Sequence, residues 1–126
     1  RAMYAVSNLL ANHLNINALI TGENVGQVAS QTISNIRAAS SAIDLPVLRP
    51  LAGMNKEEII DIATKIGTYD ISIQPYEDCC SFFLPPHPAT SANLEEVEFI
   101  SDKIKLEPMY NELVLGLESE RISFYE

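Results

Sequence analysis

The stretch "INALITGENVGQVASQTISNIRAASSAI", residues 16–43, constrains the fold more than any other part of the chain. Its first seven residues, Ile16 to Gly22, alternate and end in Thr-Gly, the pattern of a buried strand running into a turn. Further on, Val25, Val28, Ile33, Ile36 and Ala39 or Ser40 recur at helical spacing, which predicts a helix directly after the turn. Upstream, Met3, Val6, Leu9, Leu10 and Leu14 fall at near-helical intervals within Ala2 to Leu14. Helix, strand, glycine-containing turn and helix, in that order, is the rhythm of an α/β sheet with crossover connections.

The downstream sequence continues the pattern. "LPVLRPLAGM", Leu45 to Met54, is short, apolar and bracketed by prolines, so it reads as a second strand entering a loop. "NKEEIIDIATKIG" predicts a helix with Asn55 as cap, Glu58 in capping-box position and Gly67 as terminator. Ile59, Ile62, Ala63 and Ile66 would form its buried stripe. Tyr69 to Ser91 keeps no period and holds four of the seven prolines, which predicts a long loop. Such loops are uncommon in compact domains and often functional. "NLEEVEFISDKIK" repeats the capping signal with Asn93 and Glu96. The tail suggests a helix from Pro108 and a strand from Arg121 to Tyr125.

Composition bounds the possible functions. At 126 residues, 47% hydrophobic and 20% charged, the chain has the make-up of one soluble globular domain. No apolar run approaches the roughly 18 residues of a transmembrane helix. Asn8, Asn12 and His13 interrupt the apolar N-terminal stretch, and no initiator Met precedes it, so it reads as an amphipathic helix within a fragment rather than a signal peptide. The net charge is −9, and the eight basic residues are scattered. A surface that holds nucleic acid unaided needs clustered Lys and Arg, so any such affinity would have to come from elsewhere in the molecule. Only two cysteines occur, and they are adjacent, which predicts a reducing, cytoplasmic setting rather than a disulfide framework.

Two constellations could carry chemistry. In "TGENVGQVASQT", Thr21 to Thr32, a strand ending in Thr-Gly can leave backbone N–H groups free for an anion or nucleotide. The spacing is not GxGxxG and no Walker lysine is present. On pattern alone, the favoured reading is a tight βα turn in which Gly22 and Gly26 allow close packing. The second constellation is Cys79–Cys80 in "YEDCCSFFLPPHPAT". A thiol there could serve as a nucleophile or sulfur carrier if it ionises. Glu77 and Asp78 oppose ionisation, while His87 could assist it. Both cysteines could equally be small apolar fillers. Cys79, Cys80, His87 and His13 lack zinc-site spacing, and a vicinal disulfide would be strained. "LPPHPAT" reads as a rigid wall, and the acidic faces around Glu57, Glu58, Asp61, Glu95, Glu96 and Glu98 read as solvated surface.

Taken together, "ALITGENVGQVASQT", "RPLAGMNKEEIIDIATKIGTYDISIQPYEDCC" and "PPHPAT" resemble the ThiI family of tRNA 4-thiouridine synthases, over Arg1 to at least Thr90. The resemblance implies a PP-loop ATP pyrophosphatase fold. This is a Rossmann-like parallel sheet with flanking helices, of the adenine nucleotide alpha hydrolase-like kind, and residues 1–126 would be its C-terminal portion. It implies an enzyme that adenylates O4 of a tRNA uridine (position 8), using ATP with Mg2+, and replaces that oxygen with sulfur. The sulfur would arrive as a persulfide from a cysteine desulfurase. The family is also linked to sulfur supply for the thiamine thiazole, which makes a sulfur-carrier protein a further partner. Gly22 and Gln31 match family positions that bind ATP. Arg1 matches the nucleotide-binding arginine, although the family reads Arg-Arg-Met there and this chain reads Arg-Ala-Met. Cys79 matches the sulfur-transfer cysteine, with Cys80 the second choice, and no resident metal is implied. The family's Ser-Gly-Gly-x-Asp-Ser PP-loop, N-terminal tRNA-binding region and rhodanese-like domain are absent from these 126 residues. The resemblance therefore implies a partial domain that neither hydrolyses ATP nor holds tRNA alone, and whose bare sheet edge permits a homo-oligomer. The alternative is a non-catalytic nucleotide-binding or interaction module of α/β class.

Overall fold

The structure, a computed structural model, describes residues 1–28, 30–76, 87 and 89–123. Its elements follow in the order α1 (Ala2–His13), β1 (Leu19–Ile20), α2 (Ile33–Ser40), β2 (Val47–Leu48), α3 (Lys56–Lys65), α4 (Tyr69–Ser72), α5 (Leu94–Ile104) and α6 (Glu107–Leu115). The strands pair in parallel, Leu19 with Val47 and Ile20 with Leu48. Leu19 N–H donates to Pro46 O and Thr21 N–H to Leu48 O, so the ladder extends one bond beyond each end of β1. With α2 as the crossover between parallel strands, the chain has the α/β architecture expected of its sequence rhythm.

Among the described residues the buried apolar set is small: Tyr4 and Ala11 of α1 and Ala38 of α2. The alanines let helix backbones come close. α1 lies along α6, α2 against α5, and α3 against α4. On the sheet, Leu19 and Val47 are half-buried, while their neighbours Ile20 and Leu48 are 73% and 54% exposed. Side chains alternate across a strand, so one sheet face is lined by helices and the other is bare among the described residues.

Local chemistry explains the best-formed helices. Asn55 caps α3 in a complete capping box, with Glu58 N–H donating to Asn55 Oδ1 at 3.0 Å and Asn55 N–H to Glu58 Oε2 at 2.7 Å. Gly67, at φ 76°, follows in the left-handed conformation that helix ends favour. Asn93 accepts from Glu96 N–H at 3.2 Å at the start of α5, and only that half of the box is present among the described contacts.

Several expectations need correction. The helix expected directly after Gly22 covers only Ile33–Ser40. Gly26 at φ 84° breaks the backbone before it, and Thr32 accepts from Asn35 N–H as its cap. Val25 and Val28 are therefore exposed loop residues. In α3, Ile59 and Ala63 are half-buried, but Ile62 and Ile66 face outward. The stretch read as loop from Tyr69 begins with the single-turn α4. α6 starts one residue before Pro108, which its first turn tolerates. Residues 121–123 form no strand, and 124–126 lie outside the described residues. Among the described residues, no helix is long and apolar enough to cross a membrane.

Candidate functional site

The site grows from the end of β1. Thr21 N–H makes the last ladder bond, and the next two N–H groups, of Gly22 and Glu23, have no hydrogen-bond partner among the described residues. The chain is then stitched to the loop after β2. Asn24, only 4% exposed, donates from Nδ2 to Leu51 O and Met54 O at 2.5 and 2.6 Å, and Val25 N–H donates to Ala52 O. Asn24 N–H donates to Gln31 Oε1 at 2.9 Å, and Gly26 N–H to Gln31 O at 3.0 Å. A backbone N–H can only donate, so this bond fixes Gln31's amide orientation and leaves its Nε2 protons without a partner among the described residues.

Glu23 supplies the second anchor. Its Oε2 accepts from Tyr4 Oη at 2.5 Å, from Thr21 Oγ1 at 3.1 Å and from Arg49 Nε at 2.7 Å. Arg49 Nη2 donates in turn to Tyr4 Oη at 3.2 Å. The cluster ties α1, the turn and the residue after β2 into one unit. Burial pushes the Glu23 carboxyl up, but the bonds from Tyr4, Arg49 and Thr21, with the Arg49 charge, outweigh it and hold Glu23 below the usual carboxylate value. Burial raises Tyr4, and its bond to Glu23 raises it further. Burial acts to lower Arg49, yet its bonds to Glu23 and Tyr4 leave it raised.

The turn thus offers donors, two backbone N–H groups and the Gln31 Nε2, beside an ion pair of zero net charge. Consecutive unpaired backbone N–H groups in a turn favour anions and acceptor-rich ligands. The close-packing role favoured for the two glycines does not hold: a Cβ placed on Gly22 or Gly26 would meet no atom within 4 Å. Gly26 serves its positive φ, and Gly22 faces open space that a ligand can enter.

The expected site residues are only partly gathered. Gly22 and Gln31 are joined through Asn24. Arg1 is held elsewhere, its Nη1 donating to Ala38 O at 2.8 Å and to Ser41 Oγ near the end of α2. Arg1 also lines a cleft of about 620 Å³ with Leu9, Asp102, Leu106 and Tyr110. No residue from 21 to 31 lines that cleft, so this cleft and the free donors are in different places. Cys79 and Cys80, with Glu77 and Asp78, lie outside the described residues. His87 is exposed. Asn35 of α2 donates to Ala89 O and accepts from Ala92 N–H at 2.7 and 2.8 Å, which fastens residues 89–92 to the helix that follows the turn.

Sequence reasoning missed Tyr4, Glu23, Asn24 and Arg49. One signal was available: an acidic residue directly after Thr-Gly makes no sense beside free N–H groups unless a cation neutralises it.

Comparison with known proteins adds to the geometry. Residues 1–106 match the family model described as "Thiamine biosynthesis protein (ThiI)". The chain is 46% identical over 118 residues to a "probable tRNA sulfurtransferase" of Acetivibrio thermocellus, covering 94% of this chain and 30% of that protein. It is 50% identical over 122 residues to a protein of the same description from Caldanaerobacter subterraneus subsp. tengcongensis, covering 97% and 31%. Among solved structures, a 4-thiouridine synthetase in complex with RNA and bound ATP superposes with a TM-score of 0.80 at 41% identity, over 90% of this chain and 29% of that one. The chain thus spans about 30% of the length of the curated relatives it matches.

Proposed function

Because the chain belongs to the ThiI family, we propose that residues 1–126 are the C-terminal portion of a PP-loop adenylation domain in an enzyme that makes 4-thiouridine in tRNA. The observation that carries this reading is the donor array at the end of β1: the free N–H groups of Gly22 and Glu23 with the oriented Gln31 amide. The similar solved structure holds ATP and RNA, which supports a nucleotide as the turn's ligand.

The residues fit such a ligand. Gly22 leaves space, the backbone donates, and the only carboxylate within the turn is neutralised by Arg49. ATP, accompanied by Mg2+, supplies the adenylyl group that converts the uridine O4 into a leaving group. Gly22 and Glu23 N–H and Gln31 Nε2 donate to acceptor atoms of the nucleotide and hold its orientation. Arg1 keeps Nε and Nη2 for a nucleotide contact while its Nη1 stays on α2. Cys79, or Cys80 in second place, takes the outer sulfur from the persulfide of a cysteine desulfurase, whose cysteine leaves as a thiol. The Cys79 persulfide then displaces AMP from the activated uridine carbon. A second thiol cleaves the S–S bond to release 4-thiouridine, leaving a disulfide that an external thiol reductant reduces each cycle. The net charge of −9 assigns tRNA affinity to residues outside these 126. Sulfur delivery toward the thiamine thiazole is a second output of the same thiol chemistry.

Substitution tests the reading. In the full-length protein containing these residues, Cys79→Ala abolishes 4-thiouridine formation, measured by nucleoside chromatography, and leaves ATP binding intact. Normal thiouridine levels in that variant would remove Cys79 from the mechanism. Failure of the wild-type protein to bind ATP would remove the nucleotide reading itself.

A further inference from the structure

A carboxylate in a turn that receives a polyphosphate presents an electrostatic problem. Left unpaired, Glu23 would repel an anion bound at its own N–H and that of Gly22, and a separation of a few ångströms makes the penalty substantial in a partly buried site. In the structure its Oε2 is instead occupied by three donors, one of them the Arg49 guanidinium at 2.7 Å, with both side chains about four-fifths covered.

We infer that Glu23 and Arg49 are a positioning pair for nucleotide binding: Glu23 anchors the turn through its side chain while Arg49 cancels its charge, so that the turn's free N–H groups face a polyanion unopposed. The inference rests on the nucleotide reading of the turn. Neither side chain is assigned a contact with ligand. Tyr4 extends the anchor to α1, and Arg49 holds Glu23 and Tyr4 at once through Nε and Nη2. A lysine, with one nitrogen, does not reproduce that fork. The pair fixes the turn through a three-donor carboxylate and leaves the site without net charge. Asn24 and Gln31 fix the other side of the turn without any charge.

The test uses the full-length protein and two probes, ATP and adenosine, with calorimetric affinities measured for each. Adenosine reports the shape of the site, and the ratio of ATP to adenosine affinity reports its charge. Arg49→Met weakens ATP about tenfold, the scale of one charge-assisted contact, and adenosine by less than about threefold. Adding Glu23→Gln to Arg49→Met recovers most of the lost ATP affinity, because the stranded negative charge is gone, and this non-additivity marks a coupled pair. Thermal melts accompany each variant. Should Arg49→Met fail to fold, Glu23→Gln alone carries the test, since it leaves Arg49 uncompensated and raises the ATP-to-adenosine ratio. Equal losses for both probes in Arg49→Met, no loss for either, or a lower ratio in Glu23→Gln would each overturn the pair's role. Those outcomes leave the nucleotide reading standing, whereas a wild-type protein that binds neither probe overturns both.

Discussion

At Glu23, hydrogen bonding and the neighbouring guanidinium outweigh burial, and the folded carboxyl titrates below its ordinary value. A lowered folded value means that the cluster adds stability above the unfolded value, near 4.3, and loses that contribution as pH falls through the folded one. Tyr4 is raised, so its contribution is present below an unfolded value of about 10 and lost as pH rises through the higher folded value. The melting temperature of the wild type should therefore exceed that of Glu23→Gln at neutral pH, with the gap closing on acidification below about pH 4. A gap that persists in acid would contradict the pairing. The glycines give a second contrast. Gly26→Ala forces a side chain into a φ of 84° and should cost about 1 kcal/mol in urea denaturation. Gly22 lies outside the positive-φ set and has open space around it. Gly22→Ala should leave stability within about 0.5 kcal/mol of wild type, yet weaken ATP binding because the added methyl stands where the ligand approaches.

At the scale of elements, caps decide where helices begin. Asn55→Ala removes the bond that the side chain accepts from Glu58 N–H, leaves the Asn55 backbone N–H on Glu58 Oε2, and should cost about 1 kcal/mol. Asn93→Ala likewise removes one side-chain cap bond and should cost a similar amount, which paired chemical denaturation curves would check. These caps were legible in the sequence because their partners stand three residues apart. The Glu23 cluster was not, since its bonds bridge 19, 26 and 45 residues and no local pattern encodes them. The stripe from Val25 to Ala39 misled for a different reason. Its spacing suits a helix, but a glycine at positive φ and the Thr32 cap override periodicity. The position of β1 was legible from alternation and that of β2 from a short apolar run between prolines, whereas their two-residue lengths depend on which backbone groups find partners. Gly22 and Gln31 came from family resemblance, and the structure adds the contact through Asn24 that links them.

At the scale of the whole chain, the described residues finish the sheet on one face only. Parallel sheets are ordinarily covered on both, yet Ile20 and Leu48 stand side by side and largely exposed. Residues 1–126 produced alone should therefore self-associate, giving a light-scattering mass above the 13.9 kDa of one chain. Replacing Ile20 and Leu48 with threonine should return the mass toward the monomer, because polar side chains remove the adhesive patch while keeping strand propensity. The Glu23 cluster also has a place in time. The caps of α3 and α5 close over three residues and can form as soon as those residues exist. The bond between Arg49 and Tyr4 waits for 45 residues of chain to be made and brought together, and such distant contacts are slow to form. The turn acquires its final shape only after the helices around it, so a newly made chain is helical before it is receptive.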